Sequence, residues 1–255
     1  MRAVFYFTLL FTALGVPAAA KEIALTFDDL PCNEFALPAE CVLRINKKIL
    51  RCLGREHIRT VGFVNENAIH HRSETNGRKK ILKSWIKSGH ELGNHTASHS
   101  KLSQVGYENF CQDILRGEVT TNGILKKYHR RPMQFFRYPF LDIGPEPDRS
   151  AVKSFLRAHG YTIARITIDS LDWSYNAKYQ RALKVGDKKL ANSIRSAFLV
   201  HLRTQFHTMA NRPQNEILLL HVCTLTSLCV DDIVGLLRKE KYSFCSLGRA
   251  LESWK

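Results

Sequence analysis

Five short apolar runs, at 22–27, 60–64, 134–136, 162–168 and 216–221, alternate along this chain with longer stretches of helical periodicity. Runs that are apolar at nearly every position do not suit a sheet with one wet face, where apolar and polar residues alternate. They suit parallel strands covered on both sides, each joined to the next by a crossover helix. The helical stretches fall at about 39–54, 75–88, 107–128, 148–159 and 188–208, and those at 230–240 and 247–254 follow the last run. Gly54, Gly89 and Gly160 stand where helix C-terminal stops are expected. The segment 174–215 reads as a long, mostly helical insertion between two strands. The expected class is α/β, in a single domain.

The polar residues that interrupt this pattern sit at the ends of the runs. Asp28-Asp29 close the first, Arg137-Tyr138-Pro139-Phe140 follows the third, Asp169 to Trp173 follow the fourth, and His221 closes the last. In parallel sheets and barrels the C-terminal strand ends form one rim, so residues remote in sequence converge there. A further motif, His95-Thr96-Ala97-Ser98-His99, places two histidines four apart. On one helical turn such a pair presents both imidazoles to the same metal. Zinc proteases with this spacing carry a Glu base between the ligands. Here the interior is Thr-Ala-Ser, so a carboxylate must arrive from elsewhere, and the Asp28-Asp29 doublet is the obvious supplier.

Composition bounds the setting. Met1-Arg2, an apolar stretch over 3–16 and Pro17-Ala18-Ala19-Ala20 read as a secretory signal peptide, with cleavage expected after about Ala20. The alternative is an uncleaved anchor, for which the apolar stretch is short against the ~20 residues of a span. The expected mature chain is 21–255, a catalytic domain with no transmembrane segment. The formal net charge is +15, of which the leader carries only Arg2. For an exported protein this favours an anionic envelope polymer or membrane surface. A nucleic-acid partner is not expected, because the basic residues are scattered rather than striped with aromatics. Seven cysteines, an odd number without a C-x-x-C pair, argue against a zinc ribbon and leave disulfide pairing unassigned.

Five segments in order, 26–29, 95–99, 137–140, 169–173 and 219–221, resemble the polysaccharide deacetylases with the NodB homology domain, carbohydrate esterase family 4. The resemblance spans nearly all of 21–255. It implies a distorted, incomplete (β/α) barrel and a metal-dependent hydrolase that removes acetyl groups from an N- or O-acetylated glycan. Peptidoglycan or another bacterial envelope polysaccharide is the expected substrate. The metal is expected to be Zn2+, with Co2+, Ni2+ or Mn2+ as alternatives.

Carried over by position, the resemblance makes Asp29, His95 and His99 the metal ligands and Asp28 the general base, with Arg137 orienting it. It makes the backbone N–H of Tyr138 an oxyanion donor. His221 becomes the general acid, paired with Asp172 in preference to Asp169. Trp173 and Leu219 wall the pocket for the acetyl group. The family's last motif commonly reads His-Asp, whereas Val222 follows His221 here. Asn94-His95-Thr96 matches a glycosylation acceptor, but a glycan there would obstruct the metal site. Two other readings stay open: an amidohydrolase of the same fold acting on a small amide, and a catalytically silent glycan-binding relative.

Overall fold

The computed structural model describes residues 21–71, 74–210 and 212–254, so the expected signal peptide at 1–20 lies outside the described residues. The strands are β1 (Glu22–Leu30), β2 (Val61–Val64), β3 (Glu91–Asn94), β4 (Phe135–Phe136), β5 (Thr162–Ile163), β6 (Ile168–Asp169), β7 (Glu216–His221) and β8 (Ser243–Phe244). The helices are α1 (Ala39–Arg55), α2 (Glu66–Ile69), α3 (Thr75–Lys87), α4 (Leu102–Arg116), α5 (Val119–Lys127), α6 (Asp148–Ala158), α7 (Asp172–Lys184), α8 (Lys188–Met209), α9 (Thr224–Lys239) and α10 (Leu247–Glu252). The sheet runs β5-β4-β3-β2-β1-β7-β6, with β8 paired to the start of β1. Every pairing is parallel. β1 lies in the middle and is buried from Ile23 to Leu30, which is why its sequence shows no alternation.

The apolar run at 162–168, expected as one strand, is two. β5 pairs with β4 and β6 with β7, so the two pieces lie at opposite edges of the sheet. Ala164 N–H donates to Phe136 O at 2.8 Å on one edge, and Thr167 N–H donates to Ile217 O at 3.0 Å on the other. Three residue steps reach at most roughly 11 Å. That is about two strand spacings. The sheet must therefore curl until its edges nearly meet, bridged by chain rather than by a ladder. The result is a distorted, incomplete barrel.

Helices cover the outside. α1 buries Val42, Ile45, Ile49, Cys52 and Leu53, a stripe at helical spacing. Each such side chain contributes roughly 1.5–3 kcal/mol when fully buried. Trp85 of α3 packs edge-on against Phe27 of β1 and donates its indole N–H to Asn46 Oδ1 at 2.8 Å. The stretch expected as one helix over 107–128 is α4 followed by α5. The break falls at Gly117, where an added Cβ would lie 2.7 Å from the Thr96 carbonyl carbon, so only glycine lets the His95–His99 segment rest there. α9 starts at Thr224, six residues earlier than the periodicity indicates. All seven cysteines are free thiols, five of them buried. Burial pushes the Cys32 thiol up to about 12.

Candidate active site

Successive side chains of a regular strand point to opposite faces, so adjacent aspartates would not ordinarily share a site. β1 solves this with a bulge. Phe27 pairs with Gly62 and Leu30 with Val64, so Asp28 and Asp29 together oppose Phe63. Asp29 adopts the left-handed conformation, φ 61°. Both carboxylates thereby reach one cavity at the C-terminal ends of the strands. On the other side of β1 the register stays regular and places Asp28 beside His221 of β7.

His95 and His99 lie in the loop that leaves β3, not on the helical turn their spacing indicates. Thr96 and His99 take positive φ of 63° and 57°, which wraps the loop back so that both rings still converge. The wrap is fastened from within: Thr96 N–H donates to Asn94 Oδ1 at 2.8 Å, and His99 N–H to Thr96 Oγ1 at 3.0 Å. Asp113 of α4 clamps it from outside, accepting from Ser98 N–H at 3.1 Å and Ser98 Oγ at 2.8 Å. Asn94 is fully buried, its amide donating to Ile114 O at 3.0 Å, which leaves no room for a glycan.

Asp29 Oδ1 stands 3.2 Å from His99 Nε2 and 3.7 Å from His95 Nε2. Two ligands at zinc bond lengths on a tetrahedron would be about 3.3 Å apart. Among the described residues Asp29 Oδ1 is buried without a hydrogen-bond partner, whereas Oδ2 accepts from Asn33 Nδ2 at 2.6 Å. An orphaned carboxylate oxygen is costly unless a cation completes it. His95 Nδ1 lies 2.7 Å from Arg137 O, which fixes the proton there and aims the bare Nε2 at the cluster. Burial lowers the His95 pKa to about 3, outweighing the opposing pull of Asp29. The neutral imidazole is the ligating form. The donor set, Asp29, His95 and His99, fits a divalent metal.

Asp28 faces a different partner. Its Oδ1 accepts from Arg137 NH1 at 2.7 Å, and the same nitrogen reaches Thr26 Oγ1 at 2.8 Å. Arg137 is 1% exposed, lies over the Phe63 ring at 4.3 Å and donates from Nε to Ala164 O. Burial pulls its pKa below the usual arginine value, and Asp28 opposes that shift. Asp28 Oδ2, the oxygen away from that hydrogen bond, lies 3.7 Å from His95 Nε2.

His221 closes β7 and is held by one buried carboxylate. Asp172 Oδ1 is 2.7 Å from His221 Nδ1, and Oδ2 accepts from His221 N–H at 2.7 Å and Thr226 Oγ1 at 2.5 Å. Burial would depress the imidazole, but Asp172, with smaller contributions from Asp29 and Asp28, prevails and raises it to about 9. Burial likewise opposes ionisation of Asp172, yet His221 and these hydrogen bonds hold its carboxyl below its ordinary value. Asp169 instead accepts from Leu171 N–H at 2.9 Å. Val222 is fully buried and gives its N–H to Asp28 O at 3.1 Å. The imidazole is thus placed by Asp172, and a residue after His221 is not needed for that.

A cavity of about 420 Å3 joins these groups. Asp28, Asp29, His95, His99 and His221 line it, as do Trp173, half exposed, and Leu219, buried. The Tyr138 ring does not; it stacks on Phe110 in the core with centroids 5.8 Å apart. Sequence reasoning gave no role to Asn33, Phe140, Leu141 or Ala177, which also line the cavity. Phe140 and Leu141 both have φ of 56°, uncommon for bulky residues, and Phe140 lies 4.5 Å from the His99 ring. Nothing short of the turn geometry would have revealed them.

Two carboxylates and a buried His–Asp pair beside a three-residue ligand cluster, at the rim of a curled parallel sheet, define a strand-end site of the α/β barrel class. A model of the polysaccharide deacetylase family matches residues 15–164, and the chain belongs to that family. The peptidoglycan-N-acetylglucosamine deacetylase of Bacillus cereus is 28% identical over 162 residues, 63% of this chain and 50% of that protein. The chain thus spans about half the length of that curated relative. A family 4 carbohydrate esterase from Streptomyces lividans, solved in complex with acetate, superposes with a TM-score of 0.60 at 17% identity, covering 90% of this chain and 93% of that one. A CE4 family pseudoenzyme from Bacillus anthracis gives 0.63 at 14% identity, covering 92% and 66%. At these identities the two structures speak to the fold alone.

Proposed function

We propose that this chain hydrolyses acetyl groups from an acetylated glycan, with peptidoglycan-type N-acetylated sugars as the first substrate class. The reading rests above all on how the bulge divides two adjacent carboxylates. Asp29 Oδ1 is left bare toward His95 and His99, while Asp28 is tied to Arg137. Asp29, His95 and His99 would hold a divalent metal, Zn2+ by preference for this N and O donor set, with Co2+, Ni2+ or Mn2+ as substitutes. Such a metal, when bound, supplies Lewis acidity toward the acetyl carbonyl and lowers the pKa of water.

The chain's own residues do the rest. Asp28 Oδ2 accepts the proton of the attacking water, and Arg137 keeps that carboxylate oriented. The Tyr138 N–H donates to the developing oxyanion. His221, kept cationic by Asp172, gives its proton to the departing amine or alcohol. Trp173 and Leu219 confine the acetyl methyl. Export through the 1–20 leader would bring the enzyme to its polymer. The Bacillus cereus relative, named a peptidoglycan-N-acetylglucosamine deacetylase, supports the substrate class.

Acetate release from N-acetylated and O-acetylated oligosaccharides of increasing length tests the proposal. Release from a tetramer well above that from a monosaccharide is expected. Ala177 of α7 lines the cavity, so the 174–215 segment does border the site. Turnover confined to monomeric amides would therefore favour the small-amide reading, and no turnover on any substrate would favour a silent binding protein.

A further inference from the structure

Between β6 and β7 the chain sends out a helical hairpin whose tip takes no part in the site described above. α7 ends at Lys184, after which Gly186 N–H donates to Leu183 O at 3.0 Å and Asp187 N–H to Ala182 O at 2.9 Å. Gly186 has φ of 75°, a conformation glycine adopts without penalty. Asp187 then caps α8, accepting from Leu190 N–H at 2.8 Å. The turn is fastened on both sides, so what it exposes is set by its geometry. It exposes Val185 at 76%, Leu190 at 47% and Leu183 at 41%. A shallow groove of about 410 Å3 lies between the helices, lined by Ala182, Val185, Leu190 and Ile194 together with Lys178 and Arg181.

The residues framing this apolar tip are cationic. Lys178, Arg181, Lys184, Lys188 and Lys189 are all exposed, and the one acid in the segment, Asp187, is committed to its cap. Exposed aliphatics ringed by cations match the interface of an anionic bilayer, where apolar side chains enter the acyl boundary and lysines meet headgroup phosphates. A second copy of this chain would set like charges against one another. A nucleic acid would offer phosphates but no apolar layer for Val185 and Leu190. Among the described residues no helix is long and apolar enough to cross a membrane, so the contact would be peripheral.

We propose that the α7–α8 tip docks this protein on an anionic lipid surface. The proposal is independent of the hydrolytic reading. Its consequence is positional: α7 runs from Trp173 in the cavity wall to the tip, roughly 17 Å along the helix axis. Docking would hold the cavity near the bilayer and favour glycan close to it.

Co-sedimentation of the full chain with vesicles tests this, comparing phosphatidylcholine alone with phosphatidylcholine plus phosphatidylglycerol. Residues 1–20 are common to every variant, so their contribution cancels in the comparison. Binding to the anionic vesicles is expected to weaken on adding salt. Each removed cation should cost about fivefold, so Lys188→Gln with Lys189→Gln weakens binding about 25-fold. Val185→Asp should weaken it about tenfold or more through lost insertion. Acetate release from a soluble oligosaccharide should be unchanged in both variants, because none of these residues lines the catalytic cavity. Equal vesicle binding by all three chains, or undiminished binding to neutral vesicles, would overturn the proposal. Self-association through Val185 without vesicle binding would overturn it too, assigning the tip to a second copy.

Discussion

Replacing Asp172 by Asn keeps the side-chain volume and removes the charge that faces His221. Asp172 accepts three hydrogen bonds in the structure, from the His221 ring, the His221 N–H and Thr226 Oγ1. An amide offers one acceptor oxygen and one donor nitrogen, so at least one of those donors faces another donor. The imidazole, raised to about 9 beside Asp172, then falls toward its ordinary value of 6.5 as burial acts with less opposition. The difference corresponds to about 3 kcal/mol of preference for the cation. At about pH 8 the protonated fraction drops from about 0.9 to about 0.03, a loss of roughly thirtyfold in the competent acid. At about pH 6 both forms are mostly protonated, and the deficit narrows to what the lost hydrogen bond costs.

The assay is kcat/KM for acetate release as a function of pH, with the alkaline limb of Asp172→Asn expected about two units below that of the parent. An unmoved limb would refute the assignment of His221 as an acid held charged by Asp172. Stability follows the same linkage. A folded-state pKa above the unfolded one contributes stability that is complete below about 6.5 and lost as pH rises through about 9. Denaturant midpoints should therefore decline over that interval in the parent and less so in the variant.

Two further outcomes follow from the buried polar contacts. Asn33→Ala removes the donor to Asp29 Oδ2 and should weaken divalent-metal affinity about 10–100-fold, measured by calorimetric titration, while the fold is retained. Arg137→Met leaves Asp28 buried without its cation and should cost about 3–5 kcal/mol in urea denaturation. Adding Asp28→Asn to that variant should recover part of the loss, since it removes the stranded charge.

Much of this was legible in the chain because the informative residues carry their own context. β1, β2 and β7 are apolar at consecutive positions since both faces are covered, and β7 could be placed to the residue. Asp28, Asp29, His95, His99, Arg137, Asp172 and His221 all arrive at one place, as strand-end convergence requires. What stayed hidden depends on partners rather than on local pattern. The 162–168 run is uniformly apolar, and only pairing with β4 and β7 divides it between two edges. β3 reads Glu-Leu-Gly-Asn, too short and polar to show a period. The His-x-x-x-His spacing fits a helix as well as it fits this loop. It takes Asn94, Asp113 and the close approach of Gly117 to choose the loop. The bulge at Asp28-Asp29 leaves no composition signal, yet it divides neighbouring aspartates between separate partners, Arg137 for Asp28 and the histidines for Asp29.

That division is the central claim, and paired measurements on Asp28→Asn and Asp29→Asn test it most directly. Zinc affinity by calorimetry and acetate release from an N-acetylated oligosaccharide are read on each protein. The account predicts that Asp28→Asn binds metal nearly as the parent does but releases acetate at least about a hundredfold more slowly. Asp29→Asn should lose metal and turnover together. Retained turnover in Asp28→Asn, or parent-like metal affinity in Asp29→Asn, would contradict it.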